Sequence, residues 1–372
     1  MATKPAAAEA SNCRFAQGCW AIPKGMRLSR TMPPKQPRAA GGFRMYAWQC
    51  HELTGPAGLR WEEAPQPQPG PGEVLVAIRA ASLNFPDLLI IQGKYQVKAT
   101  PPFVPGAELS GVVESVGPGV EHAVPGDRVM LVGTAGAFAT HVLVPEGVLH
   151  RIPAGMGFED AAAFLMTYGT SHHALMDRAG LRAGETLLVL GAAGGVGTAA
   201  VQIGKAVGAR VIAAVSTEDK ATLVRSLGAD TVISYTNLRE QIKAATDGRG
   251  PDVVYDPVGG DVAEPAFRSI AWRGRYLVIG FAQGTIPALP LNLPLLKGAS
   301  IVGAFWGEFM RREPDVFRRG LEELEHWYVQ GKVRPVIDQV LPMKELPAAL
   351  ERMSTRQVRG KVVLVNPVGN PD

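Results

Sequence analysis

Seven consecutive residues, Gly191-Ala192-Ala193-Gly194-Gly195-Val196-Gly197, have the types and spacing needed to receive a pyrophosphate. The alanine-rich stretch from Thr198 to Val207 that follows reads as a helix. A helix N-terminus offers unpaired N–H groups and a partial positive charge, which suits a phosphate anion. Before the turn stands Thr186-Leu187-Leu188-Val189-Leu190, short and apolar as a buried parallel strand should be. Strand, glycine turn and helix in that order are the context a dinucleotide fingerprint requires. Gly194 and Gly195 admit phosphates at close range, and Gly197 lets helix and strand pack. The spacing departs from G-x-G-x-x-G, whose first position falls on Ala192; Gly191, Gly194 and Gly197 satisfy G-x-x-G-x-x-G instead. A bare structural turn is the plain alternative.

A chain of 372 residues is long for one core, so two domains are expected around this unit. From Tyr46 the pattern is β. Met45–Trp48 and Leu59–Glu62 read as a ribbon, and Val74–Ala80 as a strand after a proline-rich linker. Glu108–Val116, Arg128–Val132 and Ala139–Val144 read as further strands, which predicts an antiparallel, partly barrel-shaped domain. Phe158 to Asp177 reads as a helix and hinge. Beyond Leu187, strands at Arg210–Val215, Thr231–Ser234, Asp252–Asp256, Arg275–Phe281 and Ser300–Phe305 alternate with helices such as Lys220–Leu227, Leu238–Thr246 and Val262–Ile270. That alternation predicts an α/β fold with a doubly wound parallel sheet. Pro314–Gln330 and Lys344–Ser354 read as helices, and a last strand, Lys361–Val365, returns to the first domain. The expected bounds are 45–167 with 308–372 for the β domain and 168–307 for the nucleotide-binding domain.

Composition narrows the classes. Hydrophobic residues make up 46% and charged residues 19%, with apolar runs too short to span a membrane. Cys13, Cys19 and Cys50 are the only cysteines, which argues against a disulfide scaffold. Residues 1–44 carry eight basic residues and one acid, a net +7, so the remainder of this +4 chain is at −3. The basic balance belongs to the leader, and no nucleic-acid surface is expected on the folded part. That leader reads as a disordered extension or an upstream start before Met45. Its Arg-rich, acid-poor character also fits a transit peptide. A cytoplasmic protein is expected in the first case and a mitochondrial one in the second.

The whole run from Gly184 to Lys205 resembles the signature of the quinone oxidoreductase and zeta-crystallin family, through Gly184, Glu185, Leu188, Ala192, Ala193, Gly194, Gly195, Gly197, Gln202 and Lys205. Over residues 45 to 365 the chain is similar to the zinc-independent branch of the medium-chain dehydrogenase/reductase superfamily. Asn84-Phe85-Pro86-Asp87, Gln92-Gly93-Lys94-Tyr95, Pro105-Gly106-Ala107-Glu108 and Asp256-Pro257-Val258-Gly259-Gly260 carry that likeness. It implies a Rossmann domain plus a GroES-like β domain, and a homodimer paired through the sixth nucleotide-domain strand. Phe305 and Trp306 are expected on that strand, lining the cleft or the dimer edge, with plain core aromatics as the alternative.

Zinc alcohol dehydrogenases hold a Lewis-acidic ion with Cys, His and a further Cys or acid. Here the first ligand position is Asn84, the Gly-His-Glu triplet reads Gly106-Ala107-Glu108, and no cysteine follows Cys50. His172 and His173 are adjacent on a helix, about 100° apart, and cannot share one ion. No metal is expected. Without one, an alcohol has no ready way to lose its proton, so the chemistry suits acceptors already electrophilic, quinones or carbonyl-conjugated alkenes. Donors would stabilise the charge forming on oxygen. The resemblance gives Asn84, beside nicotinamide and substrate carbonyl, and Tyr95, at the cleft mouth, as catalytic candidates. Leu89 stands where some relatives have a second tyrosine. Tyr95 packed against Pro101 and Pro102 is the alternative role. Thr167 and Thr170 are candidates for the nicotinamide pocket or for helix capping.

NAD enzymes place an acid at the end of the second nucleotide-domain strand. Val215 stands there instead, which leaves room for a 2′-phosphate. Ser216, Lys220 and Tyr235 match the family's phosphate contacts and Arg356 a further basic one, whereas Glu218 and Asp219 would offset part of that charge. NADPH is therefore the expected cofactor. Gly191, Gly194, Gly195, Val196 and Gly197 would lie along the pyrophosphate, and Gly280 and Phe281 at the nicotinamide carboxamide. The expected function is an NADPH:quinone oxidoreductase-like enzyme for quinone or enone acceptors. One alternative is an acryloyl-CoA or enoyl-thioester reductase that uses Arg311, Arg312, Arg318 and Arg319 for the CoA phosphates. Another is a catalytically idle NADPH-binding protein.

Overall fold

The computed structural model describes residues 44–95, 98–133 and 135–367. The expected leader, with Cys13 and Cys19, lies outside the described residues except for Arg44.

The short apolar runs become strands because both faces of the sheet they form are covered. Thr186–Val189 is wholly buried, and so is Val253–Asp256. Six strands pair in parallel, in the spatial order Thr231–Ile233, Arg210–Ala214, Thr186–Val189, Val253–Asp256, Arg275–Val278, Ser300–Gly303. Sequence order therefore reverses beside Thr186–Val189, the switch point at which doubly wound sheets bind ligands. Helix Gly195–Val207 buries Ala199, Ala200, Val201 and Ile203 against that sheet. Each fully buried Val, Leu or Ile of this core contributes about 1.5–3 kcal/mol.

The β domain is a seven-stranded sheet whose main path runs Ile337–Pro342, Lys361–Val365, Glu73–Ser82, Glu108–Val116, Arg128–Val132, His150–Arg151. His141–Pro145 also pairs with Glu73–Ser82, starting two residues later than expected, since Ala139 makes only a single bridge to Ala47. The ribbon Arg44–Cys50 with Leu59–Pro65 is antiparallel. Lys361–Val365 does return to this sheet, antiparallel to Glu73–Ser82 and parallel to Ile337–Pro342.

The expected long helix at 158–177 is three pieces: Phe158–Ala162, Leu165–His172 and a π-helical turn, His173–Arg178. Helix Pro314–Val329 buries Leu321, Leu324 and Trp327 in the core shared with Leu165–His172 and the nucleotide-domain sheet. The sixth strand stops at Gly303. Trp306 opens helix Trp306–Arg312 and is buried, while Phe305 is exposed, so neither lies on the strand as expected. Gly169 lets the Trp306 indole pack on its backbone, where a Cβ would stand 2.5 Å from the ring. No helix among the described residues is long and apolar enough to cross a membrane.

Candidate active site

The glycine turn has the shape the sequence requires. Gly191 sits at φ +59°, in the left-handed region that favours glycine. A Cβ on Gly197 would lie 2.2 Å from the Gly191 carbonyl oxygen, so only glycine lets helix Gly195–Val207 start so close to the strand. The first N–H groups of that helix lack intrahelical partners and remain available to an anion. Tyr235 braces the turn from below. Its hydroxyl accepts from Gly191 N at 2.7 Å and donates to Ala214 O at 3.2 Å, and burial pushes the phenol up to about 12. That hydroxyl therefore works inside the protein as a strut. A groove of about 910 Å³, lined by Tyr235, Leu238, Gly260, Asp261, Thr285 and Ile286, opens beside it.

Two cations meet beyond the second strand. Val215 is buried there, and Ser216 is exposed. Lys220 lies in helix Glu218–Ser226 and donates to the Arg356 carbonyl at 3.2 Å. Arg356 in turn donates to Gln283 O at 3.2 Å and Ala282 O at 3.4 Å, on the loop that holds Gly280 and Phe281. Burial first, then the Arg356 charge, pulls the Lys220 ammonium below its ordinary pKa. Glu218 is turned to Arg225 at 2.5 Å.

At the domain junction stands a buried network that sequence reasoning passed over. Lys361 donates to Leu83 O at 2.9 Å, Asn84 Oδ1 at 2.5 Å and Glu108 Oε2 at 3.2 Å. Glu108 Oε2 also accepts from Ser82 Oγ and Asn84 Nδ2, and its Oε1 accepts from Met166 N at 2.8 Å. The signal was a lysine opening the otherwise apolar strand Lys-Val-Val-Leu-Val. Asn84 is 6% exposed, and its second N–H faces Ser82 O at 3.4 Å. Its carboxamide thus points into the protein and has no N–H left over for a substrate oxygen.

Asn84 also caps helix Phe85–Ile91 in a capping box with Asp87, whose Oδ2 accepts from Asn84 N at 2.8 Å. The Asp87 carboxyl is buried, and that burial pushes it up to about 7. Tyr95 is half-buried, its phenol raised by burial and then by the Asp87 charge, so it stays a proton donor near neutrality. Thr167 back-bonds to Ala163 O at 2.8 Å and lies against Gly195; Thr170, one turn on, is half-buried.

Three of the four clustered arginines are tied up locally. Arg311 and Arg312 both hold Glu308, and Arg318 holds Asp315. His172 pairs with Glu323, and His173 stands 3.0 Å from Asp177 while stacking on Phe309.

Residues 70–154 match the model of the alcohol dehydrogenase GroES-like domain, and 195–325 that of the zinc-binding dehydrogenase. A zinc ion does not fit the residues present. Asn84 is engaged with Lys361 and Glu108, the methyl side chain of Ala107 has no donor atom, and no metal-competent group of three His, Cys, Asp or Glu stands among the described residues. The chain is 36% identical to a quinone oxidoreductase-like protein 2 homolog of Nematostella vectensis, over 89% of this chain and 91% of that one. It is 35% identical to a quinone oxidoreductase of Pseudomonas aeruginosa, over 84% and 96%. A mycobacterial structure complexed with NADPH superposes at TM-score 0.80 and 31% identity, covering 87% of this chain and all of that one. Glycine turn, sheet order and these likenesses agree: the chain belongs to the quinone oxidoreductase branch of the medium-chain dehydrogenase/reductase superfamily.

Proposed function

We propose that this protein is an NADPH-dependent oxidoreductase that passes hydride to quinones or α,β-unsaturated carbonyls. One observation carries the choice of nucleotide. Lys220 and Arg356 are held against each other where Val215 replaces the acid of NAD enzymes, an arrangement that an added phosphate would relieve. The NADPH complex of the mycobacterial relative supports the same reading.

Val196 and Gly195, at the start of the nucleotide-domain helix, would hold the pyrophosphate, with Gly191 and Gly194 shaping the turn. The groove beside Tyr235 has room for the adenosine. Ser216, Lys220 and Arg356 would hold the 2′-phosphate, and Gly280 and Phe281 would border the carboxamide. When bound, the nicotinamide supplies the hydride. Tyr95, kept protonated by burial, is the donor we assign to the acceptor's oxygen. Asn84 acts by shaping the wall between the domains, and Thr170 borders the nicotinamide side. We also propose a homodimer through the edge strand Ser300–Gly303.

The test pairs calorimetry with an acceptor panel. NADPH should bind about tenfold or more tightly than NADH, the difference of one charge-assisted contact. 1,4-Benzoquinone or a simple enone should then be reduced faster than acryloyl-CoA. Tighter NADH binding would overturn the cofactor. Faster thioester reduction would make the protein a CoA-ester reductase, and binding without any turnover an idle nucleotide carrier.

A further inference from the structure

The Lys361 ammonium has three N–H bonds and meets three acceptors, on three different chain positions. Lys361 is 4% exposed and Glu108 not at all. Such a buried pair is a weak source of stability, because desolvating two charges offsets their attraction. What a fully matched network supplies is a single arrangement.

Here the arrangement fixes a carboxamide. Asn84 presents Oδ1 to the ammonium and Nδ2 to the carboxylate. The flipped carboxamide would set N–H against N–H and oxygen against oxygen.

The lysine stem reaches the other side of the junction. A Cβ on Gly195 would stand 3.0 Å from Lys361 Cδ and 3.1 Å from Thr167 Cγ2. The neighbouring Gly360 N–H donates to Ala193 O at 2.8 Å, within the glycine turn. Glu108 in turn anchors Met166 N, in the first turn of the helix that bears Thr167 and Thr170. One side chain thus joins the glycine turn, the cap of helix Phe85–Ile91 and helix Leu165–His172.

We propose that Lys361 is the positioning residue of this site: it holds the Asn84 wall and the glycine turn in one register, so that cofactor seating and acceptor geometry are set together. The proposal rests on the NADPH reading above. It assigns Lys361 no contact with the reacting atoms.

Three variants test it: Lys361→Met, Lys361→Arg, and Lys361→Met with Glu108→Gln, which removes both charges and guards against simple unfolding. Each is measured for NADPH affinity by calorimetry, for kcat and KM with 1,4-benzoquinone, and for thermal unfolding. Hydrogen exchange without nucleotide is followed in peptides covering 83–95 and 190–198. Lys361→Met should lower kcat by about 10–100-fold, the scale of a 1 Å misplacement, while acceptor KM changes less. Exchange should rise in both peptides together. Lys361→Arg should recover part of kcat, and the double variant should regain thermal stability while kcat stays low. A wild-type kcat in Lys361→Met would overturn the proposal. So would kcat that merely follows unfolding temperature through the series, or faster exchange confined to strands 337–342 and 361–365. Because exchange is read without nucleotide, an absence of NADPH turnover in the wild type would defeat the functional reading and leave this outcome legible.

Discussion

The Lys220 ammonium donates to the Arg356 carbonyl at 3.2 Å, although the two residues are 136 positions apart. Folding brings Lys220 within reach of the Arg356 charge, with Glu218 drawn off to Arg225. Lys220→Ala should weaken NADPH by about 10–100-fold, the range of one hydrogen bond to a charged group, and leave NADH within about threefold. Calorimetry with both nucleotides measures the difference. Equal losses for the two would remove the 2′-phosphate from this site.

Gly197 faces the Gly191 carbonyl so closely that a methyl group cannot enter. Gly197→Ala should cost about 1–3 kcal/mol of stability, as overpacking does, and weaken both nucleotides alike. Gly147→Ala is the matched control, since a Cβ there meets nothing within 4 Å. It should stay within about 0.5 kcal/mol of wild type. Denaturant melts of the three proteins decide it.

The elements around this turn were legible because their residues follow local rules. Unbroken apolar runs gave the parallel strands, and Lys361–Val365 was found in full with its return to the β domain. The inward aim of the Tyr235 hydroxyl and the Asn84 carboxamide is not legible in the sequence, because their partners are remote in sequence. Lys361 and Glu108 lie 253 positions apart, and no periodicity links them. Ala304 and Phe305 prolong the apolar run of the sixth strand toward Trp306, whereas the chain turns after Gly303 to bury the indole on Gly169.

Asp87 makes stability depend on pH in an unusual direction. Burial raises its folded pKa from 3.8 to about 7, with Glu108 adding to the rise and Lys361 opposing it; Tyr95 lies within reach of its charge. Between those values the folded state holds a proton that the unfolded chain has lost, so this group's contribution falls as pH rises from about 4 to about 7. Asp87→Asn keeps the cap and cannot ionise. Its advantage over wild type should grow by up to about 3 kcal/mol from pH 5 to pH 8, nearly all of it by pH 7. Parallel pH profiles from urea melts that never diverge would show Asp87 ionised throughout.

Tyr95 can be separated from nucleotide binding. Tyr95→Phe should leave the NADPH affinity within about twofold and lower kcat by about 100-fold, the lower end of what a proton donor contributes. Acceptors whose reduced oxygen is less basic should suffer less. A quinone and an enone compared in stopped flow give the contrast, and an unchanged kcat with both would leave Tyr95 a packing residue.

The strand Ser300–Gly303 ends the parallel sheet with one edge unpaired among the described strands; Ile301 on it and Phe305 just after it are 43% and 58% exposed. Leu291, Leu295 and Leu296 on the preceding segment are exposed as well, at 81%, 78% and 68%. A bare edge of this kind invites pairing with another strand, and exposed apolar residues on and near it are what such pairing would cover. Two copies joined edge to edge would continue one sheet across both and cover this patch. Sedimentation should therefore find a dimer of the 372-residue chain. Phe305→Glu, which puts a charge on the patch without touching the sheet's interior, should shift it toward monomer while near-ultraviolet dichroism stays native. A wild-type monomer at tens of micromolar would leave the edge strand to some other partner.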